Sequence, residues 1–162
     1  MRYNNKNVVL PAPWVQPGPA NDEIWYTSSD GNIVAPYAAS ALPTIVSNTY
    51  SDGKGVIKCD SDITSIGKYT FYDCSGFTSV IIPNSVTSIG DWAFRDCFGL
   101  TSVTIPNSVT SIGELAFSYC NSLTSISYIG TISQYNAISK GGNWHQNVPA
   151  TVVHCTDGDA PI

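Results

Sequence analysis

The sequence predicts an α/β solenoid, a right-handed β/α superhelix that is strand-rich, has short helical turns and is covered at both ends. Three observations carry this. Cys74, Cys97 and Cys120 recur at an interval of 23 residues, and Phe71, Phe94 and Phe117 keep the same interval. The string SIG recurs at Ser65–Gly67, Ser88–Gly90 and Ser111–Gly113. Between these marks lie alternating stretches, FTSVII from Phe77, LTSVTI from Leu100 and LTSISY from Leu123. A fixed period of 20–50 residues is the mark of a solenoid, because one such unit cannot bury its apolar side alone.

Within a unit, strand alternation places Val80, Val103 and Ile126 on one face with Ile82, Ile105 and Tyr128. Pro83 and Pro106 end these strands, since proline cannot donate to a ladder. Asn84-Ser85 and Asn107-Ser108 then form turns. A second short extended piece carries Val86/Val109 and Ile89/Ile112 inward. The glycine after it permits a bend into a short helical turn, where Ala93-Phe94 and Ala116-Phe117 face the core. Stacked units should lie about 4.7–4.9 Å apart in the strand direction, like residue over like. Counting back one period from Val80 reaches Ile57, so Val56–Cys59 is expected to supply an earlier strand, for four or five parallel strands in all.

The repeated pattern C-x-x-L-x-x-V-x-I-P-x-S-V-T-S-I-G-x-x-A-F-x-x-C resembles the BspA-like leucine-rich repeats of bacterial surface proteins over residues 56–130. The resemblance implies a leucine-rich-repeat solenoid, extracellular or at the cell surface, that contacts host or bacterial proteins. It implies no catalytic activity and no cofactor.

Four segments follow from this reading. Residues 1–22, with Pro11, Pro13, Pro17 and Pro19, form an extended lead. Residues 23–55 form a hairpin cap, in which Ile24–Ser28 turns at Ser29–Asn32 to meet Ile33-Val34. A second hairpin joins Ile45–Tyr50 to Val56-Ile57. The repeats occupy 56–130. Residues 131–162 close the array with a helix that starts on the capping box Thr131–Gln134, carries Ile132, Tyr135 and Ile138 on one stripe, and stops at Gly141-Gly142. A closing strand over Thr151–Cys155 follows it.

Composition limits the functions available. Among 162 residues only seven are Lys or Arg, the net charge is −5, and the basic residues are scattered. Phosphate binding needs them clustered, which excludes nucleic acid as a partner. No apolar run reaches the roughly 18–20 residues of a membrane span. Arg2 and Lys6 resemble the charged start of a secretory leader, but Val8–Trp14 is too short and proline-broken for its apolar region.

Five cysteines leave at least one unpaired. Cys74, Cys97 and Cys120 share one repeat position with parallel Cβ directions, which disfavours disulfides between them and suits a buried ladder. Cys59 and Cys155 lie near opposite ends. No short Cys pair offers a zinc site. His154 and Cys155, as strand neighbours, point to opposite faces, so they form no nucleophile–base pair, and His145 and His154 are expected to pack in the cap. Asp73, Asp91, Asp96 and Glu114 read as solvated charges. Asp157-Gly158-Asp159 lacks the other oxygen ligands and closing Glu of a calcium loop. No catalytic or metal residue is assigned.

Binding candidates lie on two faces. The outward side of the main strands, including Ser102 and Thr104, is flat and hydroxyl-rich, and poor in the Trp, Tyr and Arg that dominate binding energy. The turn side is more varied. It presents Tyr69/Trp92/Leu115, Tyr72/Arg95/Ser118 and Ser75/Phe98/Asn121, and Tyr72, Trp92, Arg95, Phe98 and Tyr119 are the candidates there. Protein binding or adhesion is the leading function. Carbohydrate recognition through Trp25, Trp92 or Trp144 is an alternative, as is an architectural spacer in a surface or virion assembly.

Overall fold

A computed structural model describes residues 18–162. The lead expected over residues 1–22 therefore falls mostly outside the described residues. The strands in chain order are β1 (Glu23–Ser28), β2 (Ile45–Ser51), β3 (Lys54–Cys59), β4 (Ser65–Ile66), β5 (Phe77–Ile81), β6 (Ser88–Ile89), β7 (Ser102–Pro106), β8 (Ser111–Ile112) and β9 (Ser125–Ile129). A short helix, α1 (Ile132–Asn136), precedes β10 (Ser139–Lys140), β11 (Val152–Cys155) and β12 (Gly158–Pro161). They form a strand-rich solenoid of about four turns with few helices.

Two sheets wall the coils. The larger has eight strands in the order β12-β11-β9-β7-β5-β1-β3-β2, and the smaller has four in the order β10-β8-β6-β4. Ser79, Ser102 and Ser125 lie in one cross-strand row, as do Val80, Val103 and Ile126. The small sheet repeats this in Ser65–Ser88–Ser111 and Ile66–Ile89–Ile112. Like therefore sits on like. The inward residues Val80, Ile82, Val103, Ile105 and Ile126 are buried with Phe71, Phe94 and Phe117 in one continuous core.

The first parallel strand differs from expectation. β3 does not stack directly beneath β5; β1 lies between them, antiparallel to both. Ile24 pairs with Ile57, and Tyr26 pairs with Val80 and packs against Phe77 at 5.2 Å between centroids. β1 alternates buried Ile24 and Tyr26 with half-buried neighbours, so it fills the inward row as a repeat strand would. The parallel ladder is thus β5, β7, β9 and β11. The hairpin expected between Ile24–Ser28 and Ile33-Val34 does not form, because both edges of β1 are already taken and residues 33–34 are not strand. The β2–β3 hairpin does form, in the order expected, and the boundary expected at 55/56 falls inside β3.

The turn side also differs. Between Gly67, Gly90 or Gly113 and the following cysteine the chain makes hydrogen-bonded turns rather than helix, and α1 is the one α-helix among the described residues. Each coil instead places two residues in the left-handed region, Tyr69 and Asp73, Trp92 and Asp96, then Leu115 and Tyr119. The glycines serve close packing rather than a left-handed bend. A Cβ on Gly113 would lie 2.4 Å from the Asp91 backbone nitrogen, and one on Gly90 would lie 2.8 Å from that of Lys68.

Residues 131–155 continue the array. The capping box at Thr131 and Gln134 forms, and Tyr135 and Ile138 are buried. The helix ends at Asn136, before Gly141-Gly142, because Ser139-Lys140 joins the small sheet beside β8. Leu115, Phe117 and Tyr119 donate to the carbonyls of Gly142, Trp144 and Gln146, as Trp92, Phe94 and Asp96 donate to those of Glu114, Ala116 and Ser118. Asn143 and Asn147 take the two left-handed positions. A fourth, degenerate coil is therefore threaded through this segment, and β12 then pairs back antiparallel on β11.

Candidate functional site

All five cysteines are free thiols. Cys97 donates to the Phe71 carbonyl and Cys120 to the Phe94 carbonyl, both at 3.1 Å, the same contact one coil apart. Cys74, whose partner coil is absent, turns instead to the Ala35 carbonyl at 3.4 Å. Burial pushes the Cys74 thiol up to about 11, and burial also raises Cys97 well above its ordinary value, helped by its Cys120 and Cys74 neighbours. Thiolate chemistry is suppressed here. His154 is exposed and sits 2.8 Å from Asp159, while His145 packs its ring 4.7 Å from that of Trp144. Asp157 accepts from the Ile132 amide and so ties the last hairpin to α1.

Along the turn side the left-handed positions aim large side chains outward, into one strip. Tyr69 packs on Trp92 at 5.5 Å, and Tyr72 lies 5.8 Å from Tyr69. The Arg95 guanidinium sits 3.9 Å from the Trp92 ring and 5.1 Å from that of Tyr119. These cation–π contacts immobilise the guanidinium. Its Nε lies 3.5 Å from an Asp96 carboxylate oxygen, yet it is buried without a directed hydrogen bond among the described residues. The Asp96 carboxylate beside the Tyr72 phenol raises the phenol's pKa.

Tyr72, Trp92, Arg95 and Tyr119 are thus brought together. Phe98 is 45% exposed, on the same side one row along. Ser102 and Thr104 lie elsewhere, half-buried on the outward face of the large sheet in rows with Ser79 and Ser125, and with Ile81 and Ser127. Sequence reasoning missed Tyr37, which is 68% exposed and meets Tyr72 edge-on at 5.4 Å. It lies in a non-repeating loop, where no periodicity marks it.

Each of the three tryptophans proposed for sugar stacking already has a partner on its ring, though only Trp144 is buried. Trp144 is 5% exposed against Phe117, Lys54 covers Trp25 at 3.0 Å, and Arg95 covers Trp92.

Stacked parallel coils with one apolar column and an outward row of polar side chains define a leucine-rich-repeat protein. The BspA type leucine rich repeat region matches residues 45–140 in six copies, and the chain belongs to that family. A leucine rich cell surface protein from Faecalibacterium prausnitzii A2-165 is similar at 44% identity and a TM-score of 0.49, over 51% of this chain and 22% of that one. A leucine-rich repeat protein from Bacteroides capillosus ATCC 29799 is 25% identical with a TM-score of 0.48, over 85% of this chain and 96% of that one. The chain thus spans less than a quarter of the Faecalibacterium protein's length. No curated protein matches at a significant level.

Proposed function

We propose that the chain is a non-catalytic protein-binding module, displayed at the cell surface or secreted, that contacts a host or bacterial surface protein through the turn-side strip. Family membership supports an interaction role. The observation that carries the strip is its composition at strained positions. Of the six left-handed positions in the first three coils, Tyr69, Trp92, Leu115 and Tyr119 carry bulky side chains and Asp73 and Asp96 do not, whereas the fourth coil has Asn143 and Asn147. Asparagine tolerates that conformation, whereas a bulky side chain costs about 1–2 kcal/mol. Tyr, Trp and Arg are also the residues most enriched among binding hot spots. The same reading takes β2–β3 and β12 as covers for the ends of a right-handed coil stack.

Surface plasmon resonance of the chain against purified matrix, epithelial and bacterial surface proteins tests this. We expect saturable binding to at least one, weakened about tenfold or more by Tyr72→Ala or Arg95→Ala with the circular dichroism spectrum unchanged. Equal binding by a Tyr72→Ala/Trp92→Ala/Arg95→Ala variant would overturn the reading.

A further inference from the structure

At the end of the strip nearest β1, the loop over residues 30–37 and the first turn enclose a groove of about 330 Å³. We propose that this groove takes one basic side chain, lysine or arginine, from an extended segment of the protein partner. The inference rests on the protein-binding reading and names the chemistry of the contact.

The groove's volume lies at the small end of the range for ligand sites, about 300–1,000 Å³, which suits one long side chain better than a folded surface. Tyr37 and Tyr72 wall it, with exposed Ile33 and buried Val34 alongside. Asp30 and Asp73 supply two carboxylates, and among the described residues no cation lines the space. Asp30 is held in place by the Asn32 amide N–H and side-chain amide, both at 3.0 Å, which also keep its carboxyl below its ordinary pKa. Two cations of the strip are engaged elsewhere, Lys68 over Tyr69 and Arg95 over Trp92.

Lysine and arginine match this arrangement because they are long apolar stems ending in a charge. The stem can lie along Ile33 and Val34. The charged head then finds aromatic rings and carboxylates, both of which attract cations. An acidic side chain would meet two like charges. A leucine would strip water from the carboxylates without replacing it. Charge complementarity therefore selects a base.

The probe is Nα-acetyl-lysine amide, titrated into the full chain with amide shifts followed by NMR and Nα-acetyl-norleucine amide as the uncharged control. Saturable shifts are expected at Ile33, Tyr37 and Tyr72–Gly76. Binding should be weaker by about fivefold or more for norleucine, and for lysine on an Asp30→Asn/Asp73→Asn variant. Asparagine suits the left-handed backbone of Asp73, so the variant should fold. Equal response to norleucine, equal response of the variant, or no saturable shift would overturn the proposal. Lysine shifts without capture of any surface protein would count against the protein-binding reading alone. Capture without lysine shifts would count against the groove alone.

Discussion

Phe94 lies flat on Phe117, with ring centroids 5.0 Å apart and planes 3° from parallel. Phe71 extends the stack at 5.2 Å on the other side. The middle ring is fully buried between copies of itself, so its removal leaves a cavity that neighbouring coils cannot collapse into. Phe94→Ala should cost about 3–5 kcal/mol, and Phe94→Leu much less, near 1.5 kcal/mol. Urea unfolding checks both, and a loss under about 1 kcal/mol for the alanine variant would mean the ring is not packed this way.

Coil-to-coil approach at the repeat glycines makes a sharper contrast. A Cβ on Gly113 would sit 2.4 Å from the Asp91 nitrogen, while nothing lies within 4 Å of one on Gly142. Gly113→Ala should therefore destabilise by about 1–3 kcal/mol, and Gly142→Ala should change stability by less than about 0.5 kcal/mol. Comparable losses at the two positions would refute the close stacking.

The solenoid, its period and its inward rows were legible in the sequence because those rows repeat Val, Ile, Phe and Cys at a fixed interval. What was not legible lay where the repeat decays. β1 enters antiparallel, and nothing in Glu23–Ser28 announces its direction. The fourth coil is masked by the segment that includes α1, and by Trp144 standing where Ala116 stands one coil earlier. The glycines suggested a bend by residue type, yet the left-handed backbone falls on Tyr69, Trp92 and Leu115 instead. Of the binding candidates, the side chains that converge were named from sequence, but their partner Tyr37 was not.

Asn147 tests the fourth coil. It is exposed with φ of 60°, at the position Tyr119 holds one coil earlier. Asn147→Gly should be nearly neutral. Asn147→Val should cost about 1–2 kcal/mol, since a β-branched residue resists left-handed backbone. Thermal melts decide this, and a neutral valine variant would contradict the assigned turn.

Alkaline pH should destabilise the protein. Burial pushes the Cys74 thiol up to about 11 and the Tyr135 phenol up to about 12. In the unfolded chain these groups ionise near about 8.5 and 10, so between about pH 9 and 12 the native state holds more protons and stability falls as pH rises. Below about pH 8 both states are protonated and these groups add no pH dependence. Urea midpoints at about pH 8 and 10.5 should diverge for the wild type and diverge less for Cys74→Ala. An identical pH dependence in the two would remove the thiol from the account.

Neutral glycans should leave tryptophan fluorescence unchanged, because Arg95 and Tyr69 already pack against Trp92. A saturable response lost on Trp92→Phe would instead favour the carbohydrate reading.

Methyl NOEs test the column most directly. Cross-peaks are expected from Val80 to Val103 and from Val103 to Ile126, with none between Val80 and Ile126, since these residues occupy successive rungs of one ladder. Absence of the first two, or a direct Val80–Ile126 contact, would contradict it.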